Sequence, residues 1–103
     1  MVTSINGKAV RKLVIACDAG MGSSVMLATQ LRRELRGQDV TVEHSAVDSI
    51  PGDADVVVCH AGLAERARHG APGRLIVPFT VYIGDPAIGR VVAAIKDGGD
   101  LSG

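Results

Sequence analysis

Aromatic residues are almost absent from this 103-residue chain, which holds one Tyr, one Phe and no Trp. A core without large rings must be built from Val, Leu, Ile and Ala, the composition of helices packed on a small parallel sheet. An excess of one charge is lacking too, because 11 basic residues balance 11 acidic ones. No global field exists to hold nucleic acid or an anionic membrane, so any charged ligand must be gripped locally. The opening stretch MVTSINGKAVRK carries no apolar segment of the ~7–15 residues that a secretory signal uses. No apolar run approaches the ~18–20 residues of a membrane span. A cytoplasmic location without direct membrane insertion is expected. The two cysteines, Cys17 and Cys59, are too few and too widely spaced for a disulfide scaffold. With His44, His60 and His69 they form no CxxC or HxxxH pair, so no metal site and no cofactor are expected.

The composition that is present, 47% hydrophobic and 21% charged, is that of a folded globular chain of single-domain length. Residues 1–10 mix Ser, Asn, Gly and Lys without periodicity and read as a flexible N-terminal arm, which leaves 11–103 as the folded domain. Leu13 to Cys17 is a continuous apolar run, as in a strand buried on both faces. Val25, Leu27, Ala28, Leu31 and Leu35 then recur at helical spacing, and Gly37 is a C-cap for that helix. A second strand runs from Val40 to about His44, and Ala46 to Asp55, with Pro51 and Gly52, is an irregular crossover. Val56 to Cys59 is a third strand, Gly62 to Arg68 a short helix stopped before Pro72, and Leu75 to Val77 a fourth strand. Asp85 followed by Pro86 marks the N-terminus of a last helix that reaches Lys96 and is closed by Gly98 and Gly99. This alternation predicts an α/β fold with a four-stranded parallel sheet, order 2-1-3-4, flanked by helices. Ligands of such sheets bind where the winding reverses, at the carboxyl ends of the first and third strands, and these end at Cys17 and Cys59.

The segment LVIACDAGMGSS, Leu13 to Ser24, carries the chemistry. A helix starting at Gly22 or Ser23 directs unpaired N–H groups and the positive end of its dipole back toward Cys17. Gly20 and Gly22 permit tight turns and close approach, so successive N–H groups can nest an anion, and Ser23 and Ser24 add hydroxyls. The same field favours thiolate over thiol, which makes a nucleophile inside a phosphate-sized cradle. The competing reading is that Cys17 is simply a small buried hydrophobe at a strand end. The lysine-bearing phosphate loop GxxxxGK[ST] does not fit, because no lysine lies between Lys12 and Lys96. The dinucleotide fingerprint GxGxxG fails as well, with Val25 in place of its third glycine. Low-molecular-weight tyrosine phosphatases place Cys-x5-Arg-[Ser/Thr] on a similar strand, loop and helix. Here Ser23 occupies the arginine position, so the clamp that stabilises a hydrolytic transition state is missing. A cysteine-dependent phosphatase-like protein without its arginine and a plain anion-binding module remain as alternatives.

VRKLVIACDAGMGSSVM and SAVDSIPGDADVVVCHAGLAERA closely resemble segments of the mannitol-type IIB component of the bacterial phosphoenolpyruvate-dependent sugar phosphotransferase system (PTS). The resemblance implies a three-layer Rossmann-like domain, similar to low-molecular-weight tyrosine phosphatases. It implies a phosphotransferase that accepts a phosphoryl group from phosphohistidine on the IIA protein. The group would pass to a sugar alcohol, mannitol, bound in the membrane IIC component. By position, Cys17 is the phosphorylated nucleophile, and Asp18, Ala19, Gly20, Met21, Gly22, Ser23 and Ser24 form the phosphate loop. Association with the membrane would run through IIC. Cys59 is expected to be a buried spectator, and Arg66 and Arg68 are candidates for steering a partner.

Overall fold

Leu13, Val14 and Ile15 are each 0% exposed, as a run without polar residues must be when both faces of its sheet are covered. The computed structural model describes residues 4–17, 22–80 and 85–102. In chain order its elements are β1 (Ser4–Asn6), β2 (Lys12–Cys17), α1 (Gly22–Glu34), β3 (Thr41–Ala46), β4 (Val56–His60), α2 (Ala64–Gly70), β5 (Leu75–Phe79), α3 (Pro86–Asp97) and β6 (Asp100–Ser102). Four strands form a parallel sheet in the order β3-β2-β4-β5, the order read from the sequence.

Strand alternation divides the core in two. Leu13, Ile15, Val56, Val58, Val77 and Phe79 pack against Leu27, Leu31, Ile88, Val91 and Ile95, so α1 and α3 cover one face. Val14, Ala16, Val57, Cys59 and Ile76 pack against Val47, Ala64 and Ala67, so α2 and the short 3-10 turn Val47–Ser49 cover the other. These side chains carry most of the stability, since fully burying one Val, Leu or Ile contributes ~1.5–3 kcal/mol.

The helix ends follow their caps. Gly37 and Gly98 take φ of 89° and 86°, the left-handed conformation that glycine adopts without a steric penalty. Asp85 caps α3 as expected, its Oδ1 accepting from Ala87 N–H at 2.8 Å.

Four expectations are corrected. Val25 is not on the buried face of α1, because it shares its row with Thr29 and Arg32, both exposed, and is itself 45% exposed. The helix expected over Gly62 to Arg68 begins instead as a 3-10 turn, Ala61–Leu63, before α2 proper. The fourth strand does not stop at Val77 but passes through Pro78 to Phe79; β5 is an edge strand, where the missing proline N–H interrupts no ladder. Regular structure begins at Ser4 rather than near Arg11. β1 pairs antiparallel with β6, Ile5 opposite Leu101, and both side chains join the α1/α3 core.

The segment after β1 also closes the end of α3. Lys8 Nζ donates to the Lys96 carbonyl at 2.6 Å, and Asn6 Nδ2 to the Gly98 carbonyl at 2.7 Å. These are the carbonyls a helix end leaves unpaired. Gly7 lies so close to this turn that a Cβ there would overlap the Ala94 carbonyl oxygen.

Candidate functional site

The carboxyl ends of β2 and β4 meet where the winding of the sheet reverses, since α1 leads from β2 outward to β3 and α2 from β4 outward to β5. Cys17 is the last residue of β2 and sits at the rim of the core, 7% exposed. Its Sγ–H donates to the Ser45 carbonyl of β3 at 3.5 Å. Helix α1 starts at Gly22, and Gly22, Ser23 and Ser24 form its first turn, whose N–H groups have no intrahelical acceptors. Asp18, Ala19, Gly20 and Met21 lie outside the described residues, as do the side chains of Ser23 and Ser24. Cys17 and a helix N-terminus are therefore on the same edge of the sheet, five positions apart along the chain.

Cys59 is 0% exposed within the aliphatic cluster under α2, and burial pushes its thiol pKa up to about 11, against a smaller opposing pull from Arg68. It is a packed side chain, buried as the sequence reading expected. His60, the next residue, ends β4. Its Nδ1 accepts from Gly62 N–H at 3.1 Å, and its ring meets Phe79 edge-on, centroids 6.0 Å apart at 81°.

The arginines expected to steer a partner are on α2. Arg66 Nη2 donates to the Asp48 carboxylate at 2.8 Å, an ion pair on the far face of the sheet from α1. That pair and His69 line an open groove remote from the Cys17 face. Among the described residues, the large apolar side chains that reach solvent are instead Val25, 45% exposed, and Met26, 69% exposed, both near the start of α1.

Two residues of this edge were not singled out from the sequence as part of the site. Ser45 supplies the carbonyl that holds the Cys17 thiol, and its own Oγ is buried with no partner among the described residues. No local pattern marks it, because the pairing of β2 with β3 alone brings it there. Asp85, read only as a cap, also accepts from Thr80 N–H at 2.8 Å and Thr80 Oγ at 3.2 Å, which locks the end of β5 to the start of α3. Residues 81–84, between these two anchors, lie outside the described residues.

At the opposite, amino end of the sheet the charges are structural. Lys12 Nζ lies 2.9 Å from both the Glu43 and Asp53 carboxylates, and Asp55 accepts from the N–H groups of Arg11 and Lys12. Hydrogen bonds from Lys12 hold the Asp53 carboxyl below its ordinary 3.8, and hydrogen bonding to Glu43 first, and to Asp53, raises Lys12 above 10.5.

Residues 12–94 match the family model described as PTS system, Lactose/Cellobiose specific IIB subunit. The chain is 43% identical over 81 residues to the PTS system mannitol-specific cryptic EIICB component of Escherichia coli (strain K12), an alignment covering 77% of this chain and 17% of that one. It is 46% identical over 88 residues to the mannitol-specific EIICBA component of Vibrio cholerae, covering 84% and 14%. With the mannitol-specific EIICB component of Bacillus subtilis it shares 31% over 96 residues, covering 91% and 20%. The chain thus spans a fifth or less of the length of these relatives.

Proposed function

Because the chain belongs to the lactose/cellobiose-specific IIB family of the phosphotransferase system, we propose that it is a phosphocarrier, accepting a phosphoryl group on Cys17 from phosphohistidine of a IIA protein. The phosphoryl group then passes to a sugar alcohol bound in a membrane IIC component, mannitol being the sugar named for its relatives. Asp18, Ala19, Gly20, Met21, Gly22, Ser23 and Ser24 form the loop that holds the phosphate, through backbone N–H groups and the N-terminus of α1. The domain works in the cytoplasm and reaches the membrane through IIC; no helix among its described residues is long and apolar enough to cross one.

The observation that carries this reading is Cys17 at the end of a central strand, on the same edge as the α1 N-terminus. The bond balance is simple. The N–P bond of the donor histidine breaks as the S–P bond forms, and the thiol proton, held at rest against the Ser45 carbonyl, ends on the leaving imidazole. Ser23 at the position of the phosphatase arginine favours transfer over hydrolysis, because no cation stabilises attack by water. Met26 and Val25, exposed beside the loop, form the apolar part of the surface the donor must cover.

Incubation with phosphorylated IIA separates the alternatives. A carrier accumulates a stable phosphoprotein, a phosphatase releases inorganic phosphate continuously, and an anion-binding module does neither.

A further inference from the structure

The register of β2 on β4 runs from Leu13 opposite Val56 to Ala16 opposite Cys59, and each strand continues by one residue, to Cys17 and to His60. Those two residues are therefore side by side at the carboxyl edge, on strands ~4.8 Å apart. They also share a face. Leu13, Ile15, Val56 and Val58 belong to the α1/α3 core, Val14, Ala16, Val57 and Cys59 to the other, and the alternation puts Cys17 and His60 with the first group. Phe79, opposite His60 on β5, belongs to that same core and touches the imidazole.

The imidazole is fixed in rotation as well as position. With Nδ1 accepting from Gly62 N–H and the ring edge against Phe79, the ring proton resides on Nε2, which makes that nitrogen a donor. A phosphoryl group on Cys17 brings two negative charges to an edge where Ser23 stands in place of an arginine, so each oxygen needs a donor.

We propose that His60 is a phosphate-binding residue of this site, donating its Nε2–H to an oxygen of the phosphoryl group on Cys17. The inference rests on the phosphocarrier reading and adds a residue to it. His60 neither gains nor loses a proton; its hydrogen bond forms as the S–P bond forms and persists in the phosphocysteine.

Two substitutions separate this role from the cap to Gly62. His60→Asn keeps an acceptor where Nδ1 stood and removes the Nε2 donor; His60→Gln places an amide N–H near Nε2 and gives up the cap. The rate of phosphoryl transfer from phosphorylated IIA should fall about 10- to 100-fold in His60→Asn, the effect of one hydrogen bond to a charged group, with its melting temperature near wild type. His60→Gln should transfer within about threefold of wild type, the donor being retained, though it melts lower. In the wild-type protein the His60 Nε2–H resonance should move downfield on phosphorylation, a readout independent of whether either variant folds. A wild-type rate in His60→Asn, equal slowing of both variants, or an unmoved Nε2–H resonance overturns the proposal. Failure of the wild type to take up phosphate overturns the Cys17 reading itself and this inference with it.

Discussion

Cys17 and Cys59 stand one register position apart on neighbouring strands and point to opposite faces of the sheet. Ala16 is the residue paired with Cys59, and both lie in the cluster beneath α2, whereas Cys17 follows Ala16 on the other face. A disulfide requires Cβ atoms ~3.5–4.5 Å apart and directed at each other, so the layer of strands between these two thiols forbids one. Mild oxidation of the folded protein should produce no intramolecular Cys17–Cys59 bridge by peptide mapping; finding one would contradict the register.

Cys59 should be dispensable for phosphoryl transfer and relevant only to packing. Cys59→Ser buries a hydroxyl without a partner in an aliphatic cluster and should lower stability by about 1–3 kcal/mol, measured by urea unfolding. Phosphorylation by IIA should proceed at the wild-type rate at temperatures where the variant is folded. Alkylation of Cys59 in the native protein should be slow, because its thiol is buried and its pKa lies near 11.

Asp85 joins β5 to α3 by accepting hydrogen bonds from Ala87 N–H, Thr80 N–H and Thr80 Oγ. Asp85→Ala removes a helix cap and the acceptor of the Thr80 amide, a combined loss of about 1–3 kcal/mol. Asp85→Asn, which retains an acceptor, should recover a large part of it. Equal stability of wild type and Asp85→Ala in chemical denaturation would refute the assigned role.

The Lys12–Asp53 pair sets a pH signature. The folded pKa of Asp53 is depressed below 3.8, so its contribution to stability is present above that value and is lost as pH falls through the folded pKa. Lys12 is raised above 10.5, so its contribution is present below that value and is lost as pH climbs through the folded pKa. Carboxyl-carbon NMR titration should give Asp53 a midpoint below 3.8 in wild type, and Lys12→Met should return it toward the ordinary value.

Met26, 69% exposed near the start of α1, should matter to docking and not to folding. Met26→Glu places a charge on the apolar surface proposed to meet the donor protein, and should raise the KM for phosphorylated IIA several-fold with a melting temperature close to wild type. Reversing the charge of Arg66 should have the smaller effect, since its guanidinium is already paired with Asp48 on the far face.

The legible part of the fold was the part with a period or a punctuation mark. β2 and β4 announce themselves as unbroken apolar runs, α3 by the Asp85–Pro86 start and the Gly98 stop, and the sheet order follows from strands alternating with helices. β1 and β6 were missed because three-residue strands have no period to detect; their pairing is decided by tertiary contact, Ile5 against Leu101. Val25 was misplaced because one apolar residue at the start of a helix fits two neighbouring rows, and only packing chooses between them. Of the candidate site, the place of Cys17 at a strand end ahead of a helix was legible in the strand–glycine–helix pattern. That the end of β4, with Cys59 and His60, neighbours Cys17 followed from the strand order; the face that His60 shares with Cys17 did not, since it depends on register between strands separated by about 40 residues.

The central claim is that Cys17 carries the phosphoryl group, and intact-protein mass tests it most directly. After incubation with phosphoenolpyruvate, the general phosphotransfer proteins and IIA, the wild type should gain one phosphoryl group, mapped to the peptide containing Cys17. Cys17→Ser should gain none while keeping its fold, because a serine hydroxyl is not ionised near neutral pH and lacks the nucleophilicity of sulfur. A phosphoryl group located on His44, His60 or His69, or an undiminished gain in Cys17→Ser, would contradict the mechanism.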